Sequence, residues 1–229
     1  MDRLQVQDIS GLIPTKLIVL AESSKFFWLD LKKINLKKIA YVDTKPIDLI
    51  LIVHQAATLD LKIVGVGELF VDLNLRIELM GIDSQVEVTG AFFMTKKSCV
   101  KLNVAQNHLT PNAQSVVTIK TVLSEAAQFA YRGNILIAEH ASGTIADQQN
   151  QNMLLSAQAG VQSIPSIEVL NSDVQCGHGS AVGGLDHEQL VYLMSRGLTK
   201  SAATMLLLKS FLGFDLDLED GSDGFNDFR

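Results

Sequence analysis

The stretch LFVDLNLRIELM, residues 69–80, decides the fold class, because apolar and polar residues alternate strictly from Val71 to Leu79. The side chains expected to point one way are Leu73, Leu75, Ile77 and Leu79, and those expected to point the other way are Asp72, Asn74, Arg76 and Glu78. Alternation with a period of two is typical of a β-strand with one buried face. The stretch therefore predicts a strand that packs its apolar side against a core.

Short β-rich runs of the same kind follow one another from residue 15 to residue 184, with no convincing helix among them. A sandwich or barrel would join such strands by hairpins, and two-residue hairpins favour Asn-Gly or Asp-Gly. Those dipeptides are absent between the runs, since the Asp-Gly pairs stand at 220–221 and 223–224. The pattern favours a solenoid, in which each coil adds a strand to growing parallel sheets. We therefore expect a β-helix core domain over residues 1–184.

The overall composition indicates the compartment. Hydrophobic residues make up 47% of the 229 residues, which is enough for a sizeable core. No run reaches about 18 consecutive apolar residues, so no membrane span is expected. The first residues, MDRLQVQDIS, lack the features of a signal peptide, and two cysteines are too few for a disulfide framework. We expect a cytoplasmic protein.

Negative charge is concentrated at the C-terminal end. The formal net charge is −6, and the last 15 residues, DLDLEDGSDGFNDFR, hold six acidic residues and one arginine. Residues 214–229 are therefore expected to form an acidic, disordered tail. The rest of the chain is nearly neutral, so its charge gives no reason to expect a nucleic-acid partner.

The pattern changes to a helical period at residue 185. Asp186 is placed to cap a helix, with Gln189 three residues later, and Gly197 stands where a terminating glycine is expected. Thr199 can cap a second helix, which Gly213 ends. Residues 185–213 are therefore the predicted C-terminal helical segment.

The apolar residues of the two predicted helices allow two interpretations. The spaced sets are Leu190, Leu193 and Met194 in the first helix and Ala203, Leu206, Leu207, Ser210 and Phe211 in the second, with Leu208 and Leu212 widening the apolar face. The helices could pack on the end of the β-body and cover its exposed edge. Alternatively, the additional apolar face could bind a partner.

The motif Cys176–Gly177–His178 is the strongest candidate for chemistry. In an extended strand Cys176 and His178 share one face, with Cα atoms about 6.6 Å apart. A thiolate and an imidazole can both bind zinc or an iron–sulfur cluster, yet two donors are half of a four-ligand site. Cys99, the other cysteine, lies 77 residues away. A metal site here would therefore need ligands from another chain or from a bound thiol.

Two other interpretations of the motif remain open. Cysteine is among the most frequently buried residue types, so Cys176 could be inert packing beside a histidine in a turn. Cys176 and His178 could also form a nucleophile–base pair, although no orienting acid is identifiable. Among the other histidines, His108 precedes a turn and is expected to be exposed, whereas His54 and His140 are expected in the core or at an edge.

Several segments, taken in order, resemble one protein family. They are HLTPNAQSVVTIKTVLSEAAQFAYRGNILI at 108–137, QQNQNMLLS at 148–156, IPSIEVLNSDVQCGHGSAVGGLD at 164–186 and LVYLMSRGLT at 190–199. These segments resemble the core of the SufB/SufD proteins, which are scaffold subunits of the SUF system of iron–sulfur cluster assembly. The resemblance implies a right-handed parallel β-helix followed by C-terminal α-helices.

The resemblance also implies a function and partners. Members of the family pair through their β-helices and bind the SufC ATPase through their C-terminal helices, so the chain is expected to be a non-enzymatic scaffold that binds no nucleotide itself. The residues expected to contact a SufC-type ATPase are Leu190, Tyr192, Arg196, Leu206, Leu207 and Phe211. The partner expected along the β-helix is a B-type subunit or a second copy of the chain.

The motif resembles that of the D-type members of the family. D-type members carry Cys-x-His-Gly, which Cys176, His178 and Gly179 match. B-type members tend to have Glu-His here and carry a functional cysteine near the position of Asn150. The resemblance thus implies that His178 and Cys176 bind a nascent, transient iron–sulfur cluster shared at a subunit interface. It also implies a short form that lacks the family's N-terminal helical region.

Two other functions compete with the scaffold. A solenoid enzyme that acts on carbohydrates would need carboxylates clustered on one sheet face, whereas Asp72, Glu78, Asp83 and Glu87 are scattered along the chain. A purely structural homodimer would leave Cys176 inert.

Overall fold

The structure, a computed structural model, describes residues 3–5, 16–21, 25–30 and 46–213. The predicted acidic tail and the β-rich run KKIAYV at 37–42 lie outside the described residues. The elements are β1 (Arg3–Gln5), β2 (Lys16–Ala21), β3 (Lys25–Asp30), β4 (Ile47–Val53), β5 (Thr58–Gly67), β6 (Phe70–Leu79), β7 (Gln85–Met94), β8 (Cys99–His108), β9 (Gln114–Leu123), β10 (Gln128–Ile137), β11 (Thr144–Leu154), β12 (Gly160–Val169), β13 (Val174–Gly184), α1 (His187–Ser195) and α2 (Lys200–Leu212).

The described strands lie in two parallel sheets. The odd-numbered strands form sheet A, in the order β1-β3-β5-β7-β9-β11-β13, and the even-numbered strands form sheet B, in the order β12-β10-β8-β6-β4-β2. Consecutive strands of the chain therefore alternate between the sheets, and β4 to β13 make five successive two-strand coils. The prediction of a parallel β-helix followed by two C-terminal helices is confirmed.

The coils turn at corners that recur along the chain. The last five strands of sheet A begin at residues 58, 85, 114, 144 and 174, so one coil takes 27–30 residues. Before the first four of these strands the backbone has a positive φ, and the residue that follows is small and fully buried: Ala56 then Ala57, Asp83 then Ser84, Asn112 then Ala113, and Gly143 then Thr144. The repeat is thus one of backbone conformation and residue size, and no single residue type marks it.

The core fills the lumen between the two sheets. The four inward residues predicted for β6 are at most 1% exposed, and those predicted to face outward are exposed or half-buried, so the predicted alternation is confirmed. In the middle coils Phe92 packs against Phe129, with ring centroids 5.9 Å apart. Gly65 and Gly90 leave room for the Phe92 ring, since a Cβ at either would lie 3.0–3.1 Å from a ring carbon. Each fully buried apolar side chain of this kind contributes about 1.5–3 kcal/mol to stability.

Both C-terminal helices begin and end as the sequence predicts. Asp186 Oδ1 accepts hydrogen bonds from the backbone N–H groups of Glu188 and Gln189, at 2.9 and 3.2 Å. Thr199 Oγ1 accepts from the N–H of Ala202 at 3.2 Å, and α2 ends at Gly213 with φ of 73°. Within the described part of the chain, neither helix is long and apolar enough to cross a membrane.

Helix α2 packs on the outer face of sheet A and leaves the end of the solenoid uncovered. Leu208 and Leu212 are buried against outward apolar residues of β5, β7 and β9, namely Val64, Ala91, Phe93 and Val122. These four residues break the alternation of the strands, because both faces are buried where the helix lies over them. The interpretation that the helices cover the edge is therefore wrong, and Leu206, which the resemblance assigns to the partner contact, is 49% exposed.

Candidate functional site

The C-terminal end of the β-helix is an open edge. Among the described strands, β13 pairs only with β11 and β12 pairs only with β10. An edge strand presents unpaired N–H and C=O groups that another strand can bind. This open edge, formed by β12 and β13, is where the sequence places its Cys-x-His motif.

Cys176 and His178 lie on the inner face of β13. In the parallel register Cys176 pairs with Ala146 and His178 with Gln148, and both partners on β11 point into the lumen with at most 2% exposure. The glycine between the two donors faces outward, because a Cβ on Gly177 would lie 3.4 Å from the Asp147 carboxylate. Cys176 and His178 are themselves exposed, since no described coil follows β13. The strand thus presents a thiol and an imidazole side by side at the mouth of the lumen.

The lumen beneath this mouth is lined by amides. The inner residues of β11 include Gln148, Asn150 and Asn152, each at most 4% exposed. Asn152 Nδ2 donates to Asn150 Oδ1 at 2.8 Å, and Thr121 Oγ1 donates to Asn152 Oδ1 at 2.7 Å. Buried amides are tolerated only where such bonds replace water. Asn150 pairs in register with Ser180 of β13, so it too lies next to the open edge.

A hydrogen-bonded relay runs deeper into the lumen from Gln148. Gln148 Nε2 donates to Gln106 Oε1 at 2.7 Å, and Gln106 Nε2 donates to Ser115 Oγ at 2.6 Å. Ser115 Oγ also lies 2.8 Å from His108 Nε2. Burial lowers the pKa of His108 to about 4, so the ring is neutral at physiological pH.

The expectation that His108 is exposed is wrong, because the ring is completely buried. The apolar alternation of β8 continues through Gln106 to His108, and extending it past Val104 would have identified both as inward-facing residues. His54 and His140, expected in the core or at an edge, are exposed.

The donors at the mouth form an incomplete metal site by themselves. Among the residues that the structure describes, no group of three or more His, Cys, Asp and Glu side chains is placed to hold a metal ion. Asp147 pairs in register with Gly177, and its carboxylate lies on the outer face of β11. Any metal bound by Cys176 and His178 would need further ligands from elsewhere.

The predicted partner-binding residues of the helices differ in accessibility. Tyr192 is 56% exposed and Leu206 is 49% exposed, whereas Leu190 is buried at 6%. The Arg196 guanidinium is exposed and stacks on Tyr192, with its Cζ 5.1 Å from the ring centroid. Leu207 is half-buried. Phe211 is also half-buried. It packs against the apolar cluster between α2 and sheet A, and the Lys120 ammonium lies 5.7 Å from its ring centroid.

Other apolar residues of the helical segment are exposed as well. They are Val191, Met194 and Leu198, at 37–51% exposure. Together with Tyr192, Arg196 and Leu206 they form an outward-facing set, which we call the helical apolar face. Sequence reasoning missed these three because they were assigned to packing or left unassigned.

A depression of about 380 Å³ lies on the outer face of sheet B. Asp48 accepts from Asn74 Nδ2 at 2.7 Å, and Asn74 accepts from Asn103 Nδ2 at 2.8 Å, which forms an amide ladder across three strands. Among the described residues that line the depression, Asp48 alone carries a carboxylate. Glycoside hydrolysis uses a pair of carboxylates, so this depression does not favour the carbohydrate-acting alternative.

Comparison with known proteins identifies the family. The model of the SufBD core domain of the SUF system of FeS cluster assembly matches residues 18–211. The chain belongs to the SufB/SufD family. The matched range covers the β-helix from β2 to β13 and both C-terminal helices, so the open edge and the helical apolar face both lie within the SufBD core domain.

Individual relatives are similar over the same region. The iron–sulfur cluster assembly SufBD family protein slr0076 of Synechocystis is 30% identical over 156 residues, which is 64% of this chain and 34% of the relative. SufD of Escherichia coli is 29% identical over 60% of this chain and 33% of its own length. SufB of Bacillus subtilis is 29% identical over 46% of this chain and 23% of its own length. The chain spans about a third of the length of the curated relatives it matches first.

Proposed function

We propose that the chain is a D-type scaffold subunit of SUF iron–sulfur cluster assembly. In this proposal it pairs through its open edge with a B-type subunit or with a second copy of itself. It binds a SufC-type ATPase through its C-terminal helices, and it presents His178 and Cys176 to a nascent cluster. The observation that carries the proposal is the position of these two donors, side by side on the inner face of the edge strand β13.

The number of donors supports a shared site. Each iron of a common iron–sulfur cluster is four-coordinate, and protein ligands complete the coordination that the sulfides leave open. Cys176 and His178 supply two such ligands, and the described residues offer no third nearby. A strand added to the open edge would bring its own side chains to the mouth of the lumen. The partner would therefore complete the site at the interface, and separation of the subunits would expose the cluster.

The D-type assignment rests on two features of the sequence. Cys176, His178 and Gly179 match the D-type motif, and Asn150 lies near the position at which B-type members carry a cysteine. Asn150 is buried and bonded to Asn152. A B-type partner would then supply the thiolate that this chain lacks at that position.

The helical apolar face supports an ATPase-docking role. It exposes Tyr192, Met194 and Leu206 on a segment that already buries Leu208 and Leu212 against sheet A. Exposed aromatic and arginine side chains on a rigid support are typical anchors of protein interfaces. In the proposal the ATPase supplies nucleotide binding and hydrolysis, and this chain is a non-enzymatic scaffold that works in the cytoplasm.

The experiment is an anaerobic co-purification of the chain with a SufC-type ATPase and a B-type subunit, followed by determination of mass, iron and sulfide. His178→Ala is compared with His54→Ala, which removes an exposed histidine outside the motif. We expect a stable complex whose iron content falls at least severalfold in His178→Ala and is unchanged in His54→Ala. If the wild-type chain elutes alone and free of iron, or if both variants keep the same iron, the scaffold proposal is wrong.

A further inference from the structure

The buried relay ends at an unsatisfied oxygen of Gln148, the register neighbour of His178. Within the described residues, Gln148 Oε1 is buried and has no hydrogen-bond partner, although the same amide is bonded through its nitrogen. A buried acceptor without a partner carries an uncompensated desolvation cost. Such an atom, placed one strand below the open edge, indicates that its partner arrives from that edge.

The orientation of the Gln148 amide follows from groups whose roles are fixed. The backbone oxygen of Asp147 can only accept, and it lies 3.3 Å from Gln106 Nε2. The nitrogen of Gln106 therefore faces Asp147 and Ser115, and its oxygen faces Gln148. Since Gln106 presents an acceptor, Gln148 must present its NH2 group to it. The oxygen of Gln148 is consequently the atom left over.

The Gln148 side chain is also held in place by packing. Its amide lies across the lumen against Gly133 of β10, where a Cβ would overlap all three terminal atoms of the glutamine. Gly133 is buried and faces the lumen, so the glycine creates the space that the amide occupies. The oxygen is thus presented at a fixed position by the relay on one side and by Gly133 on the other.

His178 is the register neighbour of the residue that carries that oxygen. His178 and Gln148 are direct neighbours on β13 and β11, and both point to the inner face. Cys176 pairs instead with Ala146, and Ser180 pairs with Asn150. Strands in a sheet lie about 4.8 Å apart, so the side chains of His178 and Gln148 lie in adjacent layers of the lumen.

We propose that Gln148 is a positioning residue for His178, accepting a hydrogen bond from one ring N–H when a partner strand closes the open edge. The other ring nitrogen is then deprotonated and directed toward the iron. Ligating histidines generally donate their second ring N–H to such a partner, which fixes the tautomer and the ring orientation. This inference rests on the proposed function, because it assumes that His178 is an iron ligand.

The first test observes the hydrogen bond itself. In the complex with the B-type subunit and the SufC-type ATPase, only this chain is labelled with ¹⁵N-histidine, and His178→Ala assigns the signal. We expect a slowly exchanging His178 ring N–H resonance with a contact to the Gln148 side chain. Gln148→Met, which keeps the volume and removes the acceptor, abolishes it. Tyr131→Phe removes another unpartnered buried oxygen of the same lumen and leaves the resonance unchanged.

The second test measures affinity in the same complexes by anaerobic Fe²⁺ titration. Loss of such a partner typically costs about 10–100-fold in metal affinity, so we expect that loss in Gln148→Met and wild-type affinity in the control Tyr131→Phe. Wild-type affinity in Gln148→Met, or a His178 N–H that persists there, overturns the inference. The wild-type spectrum alone also overturns it if the N–H contacts a different acceptor, even where a variant does not fold.

The two proposals fail in distinguishable ways. Iron content unchanged in His178→Ala contradicts the ligand role and hence the proposed function. If iron is lost in His178→Ala but Gln148→Met is indistinguishable from wild type, only the positioning role of Gln148 is contradicted.

Discussion

The middle coils and the last coils of the β-helix share one backbone arrangement and differ in what fills the lumen. The inner positions of β7 are Val86, Val88, Gly90, Phe92 and Met94, whereas those of β11 are Ala146, Gln148, Asn150, Asn152 and Leu154. Apolar side chains gain stability wherever they are buried, but amides only recover the cost of leaving water when every bond is made. The middle coils therefore contribute most of the apolar stabilisation, and the last coils bring polar side chains to the open edge.

The largest expected effect tests the apolar half of this comparison. Phe92→Ala removes a completely buried ring that packs on Phe129. We expect the free energy of unfolding to fall by about 3–5 kcal/mol, because a cavity remains where the ring was. Urea denaturation of the two proteins measures the difference. A loss below about 1 kcal/mol would show that the middle coils do not carry the stability assigned to them.

The second prediction concerns His108, at the boundary between the two kinds of lumen. Its pKa is about 4 in the folded chain because of burial, against the ordinary value of 6.5. Between these pH values the unfolded chain binds a proton that the folded chain does not, so stability is complete above pH 6.5 and declines as the pH falls toward 4. The full decline is about 3 kcal/mol.

The measurement is the free energy of unfolding between pH 7 and pH 4 in wild type and in His108→Gln, which cannot titrate there. We expect the wild type to lose free energy of unfolding relative to His108→Gln as the pH falls from 6.5 toward 4. Parallel curves would mean that His108 is not buried as a neutral ring.

The third prediction tests the fit between the Gln148 amide and Gly133. Gly133→Ala places a methyl group where the amide lies, and we expect a loss of about 2 kcal/mol, typical of overpacking. Shortening the glutamine in Gly133→Ala/Gln148→Ala should recover at least about 0.5 kcal/mol relative to additivity. Gly183→Ala is the control, because a Cβ there meets nothing within 4 Å. Strict additivity of the two lumen substitutions would contradict the contact.

The smallest expected effect has the opposite sign. The Tyr131 hydroxyl is buried without a partner among the described residues, and burial raises its pKa. Tyr131→Phe removes a polar atom that makes no bond, so we expect the free energy of unfolding to rise by up to about 1 kcal/mol. Tyr192→Phe, at an exposed ring, should change nothing. A loss of stability in Tyr131→Phe would reveal a bond to that hydroxyl.

Local sequence patterns predicted the elements well. The alternation at residues 69–80 identified a strand and its buried face, and the absence of hairpin dipeptides separated a solenoid from a sandwich. The caps at Asp186 and Thr199 and the terminating Gly213 were also correct. These features depend on residues that are close in sequence, which is why the sequence alone was enough.

Contacts between coils could not be predicted in the same way. The pairing of Gln148 with His178 depends on the length of the coil between them and on corners whose only mark is a positive φ followed by a small residue. The sequence left open which face of α2 packs, because Leu206 and Leu208 are equally apolar and only the position of Phe93 on sheet A decides which of them is buried. The recurrence of Ala57, Ser84 and Ala113 before strands was the signal that could have set the register.

The most direct test of the account asks whether this chain supplies an imidazole ligand to the cluster. The complex with the B-type subunit and the SufC-type ATPase is prepared with ¹⁵N-histidine in this chain alone, reduced, and examined by pulsed electron paramagnetic resonance. We predict a ¹⁵N coupling to the cluster that is absent in His178→Ala and retained in His54→Ala. A cluster that shows no coupling to this chain's histidines would contradict the central claim.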